Sequence, residues 1–251
     1  MKNLALIATS FFCLTNVNAQ LSPPGLGDTN DAVWSAIGVQ QKINKKNTSL
    51  TYIGEGRISG PDSHDIMKEQ SILVINEEVY HSINKHWKYS YALSYRRQHE
   101  YEDAAPEAIA IQQEFRLYGR LSNAIVLGRV KWKNTIRQEA RKFYTPDFNT
   151  VEDLFQFRTR IKTQLTVPLG SSDANKLTGS AEALFAISDE RSEGWGNYGY
   201  TESRFCFYYT YKPQSLPVIF DVGYMNDLMG YGHAVADASY LAFDVILENP
   251  F

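Results

Sequence analysis

From residue 32 onward, apolar and polar residues alternate at every second position, and a period of two is satisfied by strands. Between Trp87 and Arg96, one face carries Trp87, Tyr89, Tyr91, Leu93 and Tyr95. The other carries Lys88, Ser90, Ala92, Ser94 and Arg96. Phe115, Leu117 and Leu121 oppose Glu114, Arg116, Tyr118 and Arg120 in the same way. So do Val126, Val130, Trp132 and Ile136 against Arg129, Lys131, Lys133, Arg137 and Glu139. Phe157, Ile161, Leu165 and Val167 oppose Arg158, Arg160, Lys162 and Gln164; Phe205, Phe207, Tyr209 and Tyr211 oppose Glu202, Arg204, Cys206, Tyr208 and Thr210. No segment of useful length has a helical period.

Eleven candidate strands follow: 31–43, 48–59, 69–80, 86–99, 109–121, 124–140, 153–168, 176–188, 199–212, 216–226 and 237–249. Their connections alternate in length. Short ones fall at 44–47, 82–85, 122–123, 170–175 and 213–215; longer, mostly acidic ones fall at 60–68, 100–108, 141–152, 189–198 and 227–236. Tight turns at one end and long loops at the other are the pattern of a transmembrane meander barrel. Single-chain bacterial barrels have even strand numbers. The expectation is therefore an all-β, antiparallel meander barrel of 10–12 strands, with either a miscount by one or the leader crossing the lumen.

The N-terminus predicts export. Lys2, the apolar run Leu4–Leu14 and Val17-Asn18-Ala19 have the order of a secretory signal peptide over 1–19, cleaved after Ala19. Residues 20–30, with Pro23-Pro24-Gly25, read as a leader, and 31–251 as one barrel domain. Cleavage leaves 232 residues with 24 Lys and Arg against 28 Asp and Glu, a net charge of −4 that argues against nucleic acid as a partner. One cysteine, Cys206, remains, so no internal disulfide can form. The partners expected are outer-membrane lipid and the barrel-assembly machinery.

Three features favour a membrane barrel over a soluble periplasmic β-sandwich binding module. Many segments exceed the ~5–6 residues of an ordinary strand. Tyr, Trp and Phe recur on the apolar faces, as in interfacial girdles. Finally, Leu241, Phe243, Val245, Leu247 and the terminal Phe251 fall on one face, resembling the C-terminal recognition signal of outer-membrane proteins; Asn249 and Pro250 interrupt the pattern.

Ala32-Val33-Trp34, "LTYIGEGRIS", "SYALSYRRQHEY", "QEFRLYGR", "IRQEARKFYTPDF", "FQFRTRIKTQL" and "YLAFDVILENPF" carry a further likeness. Through them the mature chain resembles the family called "domain of unknown function 2490". It implies an outer-membrane barrel of a Gram-negative bacterium and supplies no activity.

Chemistry is sparse. His64, His81, His86, His99 and His233 have no metal-ligand spacing, and no cofactor or metal is expected. Ser94 and His99 lie on opposite faces of one strand, so a membrane-embedded hydrolase has no convincing nucleophile–base pair. The polar faces say more. Turned inward, they supply twelve cations: Arg57, Arg96, Arg116, Arg120, Arg129, Lys131, Lys133, Arg137, Arg158, Arg160, Lys162 and Arg204. Against these stand seven anions: Glu55, Glu114, Glu139, Glu182, Glu202, Asp221 and Asp244. A basic lumen of this kind is either structural filling by Arg–Glu pairs or a narrow pathway for an anionic solute.

Overall fold

Every alternating segment forms a strand in the computed structural model, which describes residues 31–59, 64–102, 105–170, 173–231 and 234–251. The expected signal peptide and leader, and the question of whether the leader enters the lumen, lie outside the described residues. The strands are β1 (Ala32–Lys42), β2 (Asn47–Ile58), β3 (Glu69–Ser82), β4 (Trp87–Glu102), β5 (Ala105–Leu127) and β6 (Val130–Tyr144). They continue as β7 (Asp153–Pro168), β8 (Asn175–Glu190), β9 (Gly194–Trp195), β10 (Gly199–Tyr211), β11 (Val218–Tyr231) and β12 (Ala234–Glu248).

The short β9 flanks the far end of β8, and the other eleven strands close a barrel. Neighbours around the wall are antiparallel except at the seam, where β1 and β12 pair in parallel from Ala32↔Tyr240 to Gln40↔Glu248. The parallel seam resolves the parity question. An eleven-strand meander begins and ends with strands pointing the same way, so it can close only by a parallel pair. Among the described residues each of the eleven expected strands is present in the barrel.

Hydrogen bonds beyond the ladder hold the seam. The Trp34 indole Nε1 donates to Asp244 Oδ1 at 3.0 Å inside the barrel. At the tight-turn end, Asn249 N donates to Gln40 O at 2.7 Å and Asn249 Oδ1 accepts from Lys42 N at 2.8 Å. Gln41 Nε2 donates to Phe251 O at 2.9 Å. Asn249 takes a left-handed φ of 48°, which asparagine tolerates better than most residues. Leu241, Phe243, Val245 and Leu247 lie on the outward face of β12, but the strand ends at Glu248 and the clasp carries Phe251 off it, 93% exposed.

Three connections also differ from the sequence reading. The expected long loops at 100–108 and 227–236 are largely strand, because β4 runs to Glu102, β5 starts at Ala105, β11 runs to Tyr231 and β12 starts at Ala234. Ser122-Asn123 looks like a turn by composition, yet it pairs with Thr135 and Asn134 within the ladder. The apolar run Ala124–Leu127 extends that ladder to Leu127↔Val130. The chain reverses at Gly128-Arg129, where Gly128 has the positive φ (61°) that two-residue hairpins favour.

The interior has two unlike walls. Under β10–β12 and β1–β3 it is mainly apolar, built on Trp34, Leu50, Ile72, Tyr208, Met225, Tyr240 and Ile246, although Glu78, Glu202, Arg204, Asp221, Asp227 and Asp244 are also buried on these strands. Small residues opposite the large ones make this possible. A Cβ on Gly54 would lie 2.3 Å from the Trp34 ring, and one on Gly223 would lie 2.3 Å from the Tyr208 ring. Under β4–β8 the interior is charged.

Candidate functional site

Strand parity carries the charges inward. On β5, Glu114, Arg116, Tyr118 and Arg120 alternate with outward Phe115, Leu117 and Leu121. On β6, Arg137, Glu139, Arg141 and Phe143 are all buried. β7 adds Arg158 and Arg160, β8 adds Glu182, and β10 adds Glu202 and Arg204. The registers Glu139↔Arg158 and Arg204↔Glu182 set acids beside bases across the ladder.

These groups form one network. Glu114 accepts two hydrogen bonds from Arg141, at 2.8 and 2.6 Å, and one from Arg116 at 2.6 Å, with Arg96 3.7 Å away. Glu139 lies 2.6 Å from Arg137, 3.3 Å from Arg160 and 3.6 Å from Arg116. Arg160 also grips Glu182 through two bonds of 3.0 and 2.6 Å. Arg204 pairs with Glu202 and with Asp227, the latter at 3.2 Å. Paired forks of this kind are the strongest hydrogen bonds available to side chains. Nearer the tight turns, Glu78 accepts from Ser90 Oγ at 2.5 Å and Tyr118 Oη at 2.9 Å, with Arg120 at 3.4 Å. The Arg137 guanidinium stacks 3.5 Å over the Tyr118 ring.

Beside the network is a small cavity. Tyr52, Val74, Asn76 and Ser94 line it together with Arg96, Arg116, Arg137, Arg158, Arg160 and Arg204. Six guanidinium groups face it and no carboxylate does. Solvent barely reaches this level: Arg160 and Arg204 are each 3% exposed and Glu139 is 2% exposed. A continuous aqueous pore would wet these side chains, so the barrel is filled here rather than open.

Of the residues singled out from sequence, Arg96, Arg116, Arg120, Arg137, Arg158, Arg160, Arg204, Glu114, Glu182 and Glu202 face the interior. Lys131 also turns inward, near the tight-turn end. Two do not belong there. Arg57 lies on the outward face of β2, pairing with Glu55 at 2.9 Å, because Gly54, Gly56 and Ile58 take the inward positions. Arg129 sits exposed in the β5–β6 turn, where its guanidinium donates to the carbonyls of Pro168 and Gly170. Arg141, Glu78 and Asp227 also face the interior; Arg141 and Asp227 fall one position beyond the expected strand ends at 140 and 226, and the same parity extended by one residue places both inward.

The described histidines serve local structure. His81 Nδ1 bonds Asn47 Oδ1 at 2.7 Å, His86 Nδ1 bonds Ala124 O at 3.0 Å, and His99 Nδ1 bonds Gln70 O at 2.6 Å. Ser94 Oγ donates to Ile75 O at 3.3 Å and does not meet His99. Among the described residues no group of three His, Cys, Asp or Glu side chains is placed to hold a metal ion. At the loop end, Glu152 accepts from Ser192 N at 3.0 Å, and the hydrogen bonds from Ser192 hold its carboxyl below the usual range.

These features define a class: a closed, eleven-stranded β-barrel with an ion-paired, arginine-rich interior. The chain belongs to the family described as "Protein of unknown function (DUF2490)", whose model matches residues 31–234. Comparison with curated proteins gives no match. Among solved structures, one titled "Bacterial polysaccharide outer membrane secretin" is similar at 10% identity and a TM-score of 0.36, over 82% of this chain and 75% of that one.

Proposed function

We propose that this protein is an integral outer-membrane β-barrel whose interior is closed by its own side chains, a structural component of the membrane rather than an open porin. The observation that carries the reading is the uncovered outer face. Tyr91, Leu93, Leu117, Ile136, Ile161, Phe205, Phe207, Val222, Leu241 and Phe243 all point outward and are exposed. Aromatic rings flank that band. Trp87, Tyr89, Trp132, Tyr209 and Tyr211 lie towards the tight turns; Phe115, Phe148, Phe157, Trp195, Tyr198 and Tyr200 lie towards the loops.

The spacing suits a bilayer. From Trp87 to Tyr95 along β4, eight steps of ~3.4 Å on a strand tilted ~40° rise about 20 Å, near the apolar height of an outer-membrane barrel. In water an apolar surface of this extent would drive aggregation. The outer face of β1–β3 is more polar, and there Thr51 donates its hydroxyl to Glu77, so the two satisfy each other. Lipid is thus the first partner of the outer wall. The exposed Phe251 and the outward residues of β12 are what the assembly machinery would read.

The test is fractionation followed by electrophoresis of unboiled samples. The protein should sediment with outer membranes and migrate faster unboiled than boiled. A soluble periplasmic band with one mobility would overturn the membrane reading. Reconstituted in planar bilayers, the mature chain should show no steady conductance; a stable ohmic current would overturn the closed interior.

A further inference from the structure

We infer that the arginine-lined cavity is a binding site for one small oxyanion, of the phosphate or sulfate class, held by Arg158. The inference deepens the reading of a closed, basic interior and rests on that closure, but not on membrane residence. Charge is the first ground. Seven guanidiniums (Arg96, Arg116, Arg137, Arg141, Arg158, Arg160 and Arg204) share five carboxylates (Glu114, Glu139, Glu182, Glu202 and Asp227), a surplus of two. The second ground is Arg158 itself. Its side chain lines the cavity and makes no hydrogen bond or salt bridge with any described residue, and its Nε is buried without a partner. Glu139 stands opposite Arg158 across the β6–β7 ladder, but its carboxylate is taken by Arg137, Arg160 and Arg116. The third ground is Asn76. This side chain is 1% exposed and also lines the cavity; its Oδ1 accepts from Tyr118 at 3.0 Å, yet its Nδ2 donor has no partner.

Buried donors without partners and a surplus of cations in a confined interior are costly unless something satisfies them. An oxyanion does so: it accepts from a guanidinium fork and an amide together and neutralises the surplus. Approach from the tight-turn end is favourable too. Lys88, Lys131, Lys133 and Lys176 turn inward there, and none forms an ion pair among the described residues.

The experiment titrates the full mature chain, folded in detergent and shown to be heat-modifiable, with sodium phosphate, sodium sulfate or sodium chloride at matched ionic strength. Its readouts are the thermal midpoint and isothermal calorimetry. Phosphate or sulfate should raise the midpoint saturably, with about one site per barrel, and chloride should not. Arg158→Gln should weaken oxyanion binding at least ~10-fold, the scale of losing one charge-assisted contact. In chloride alone that variant should be no less stable than the parent, since it removes a cation without a partner. Arg158→Lys, which keeps charge without the fork, should fall between. An identical response of the parent to chloride and oxyanion overturns the inference. So does unchanged oxyanion binding in Arg158→Gln, or failure of that variant to fold, because either makes Arg158 a structural residue. If the protein proves soluble without detergent, the membrane reading fails while the same titration still decides the site.

Discussion

Glu139→Gln will destabilise the barrel by about 3–5 kcal/mol, the cost of breaking a buried ion pair from one side. Glu139 is 2% exposed and pairs with Arg137, Arg160 and Arg116. Glutamine keeps the shape and loses the charge; Arg160 keeps Glu182 and Arg116 keeps Glu114, but Arg137 is left without a carboxylate in a site that solvent hardly enters. The loss should appear as a lower urea midpoint for the transition from the fast to the slow electrophoretic form. Combining it with Arg137→Met should recover part of the loss, because the unpaired cation is then removed and the aliphatic side chain still packs on Tyr118. If Glu139→Gln costs under ~0.5 kcal/mol, as changes at wet sites do, water reaches this layer and the closed interior is wrong.

Gly54→Val will prevent the barrel from closing. Even the first added carbon would lie 2.3 Å from the Trp34 ring and 3.1 Å from Ala36 Cβ. Trp34 is 0% exposed and its Nε1 is fixed on Asp244, so the ring has nowhere to swing. Ordinary overpacking costs ~1–3 kcal/mol, and here the displaced side chain also strips a buried carboxylate of its donor. The expected result is loss of the fast-migrating form, with the chain accumulating unfolded. Trp34→Phe, which relieves the crowding and keeps an aromatic ring, should partly restore Gly54→Val. Normal assembly of Gly54→Val on its own would mean that β1 and β2 do not approach as described.

Much of this was legible in the sequence, and the reason is geometric. A strand has only two faces, so a correct segment assigns every side chain in it to one face or the other. For that reason Arg96, Arg116, Arg137, Arg158, Arg160 and Arg204 could be placed inward from parity alone. The failures occur where parity stops or slips. Arg57 is turned outward because two glycines at alternate positions, Gly54 and Gly56, take the inward face beside Trp34. Arg129 drops out because the hairpin reverses at Gly128 rather than at Ser122-Asn123. The apolar wall is not legible from sequence, since Ala32, Ala36 and Ala242 look like neutral spacers but are buried in it beside Trp34, Tyr208 and Tyr240. The odd strand number looked like an error in one dimension; in three dimensions it is the parallel pairing of β1 with β12.

That pairing is the central claim and can be measured directly. In Ile37→Cys/Val245→Cys, the two cysteines stand opposite each other across the β1–β12 seam. Expressed and exported in cells, the double variant should form an intramolecular disulfide within the outer-membrane fraction and still show the fast unboiled mobility. Ile37→Cys/Leu241→Cys, four residues or ~13 Å out of register, should stay reduced. The account would be contradicted if the in-register pair remained reduced in folded protein, or if it linked only between molecules.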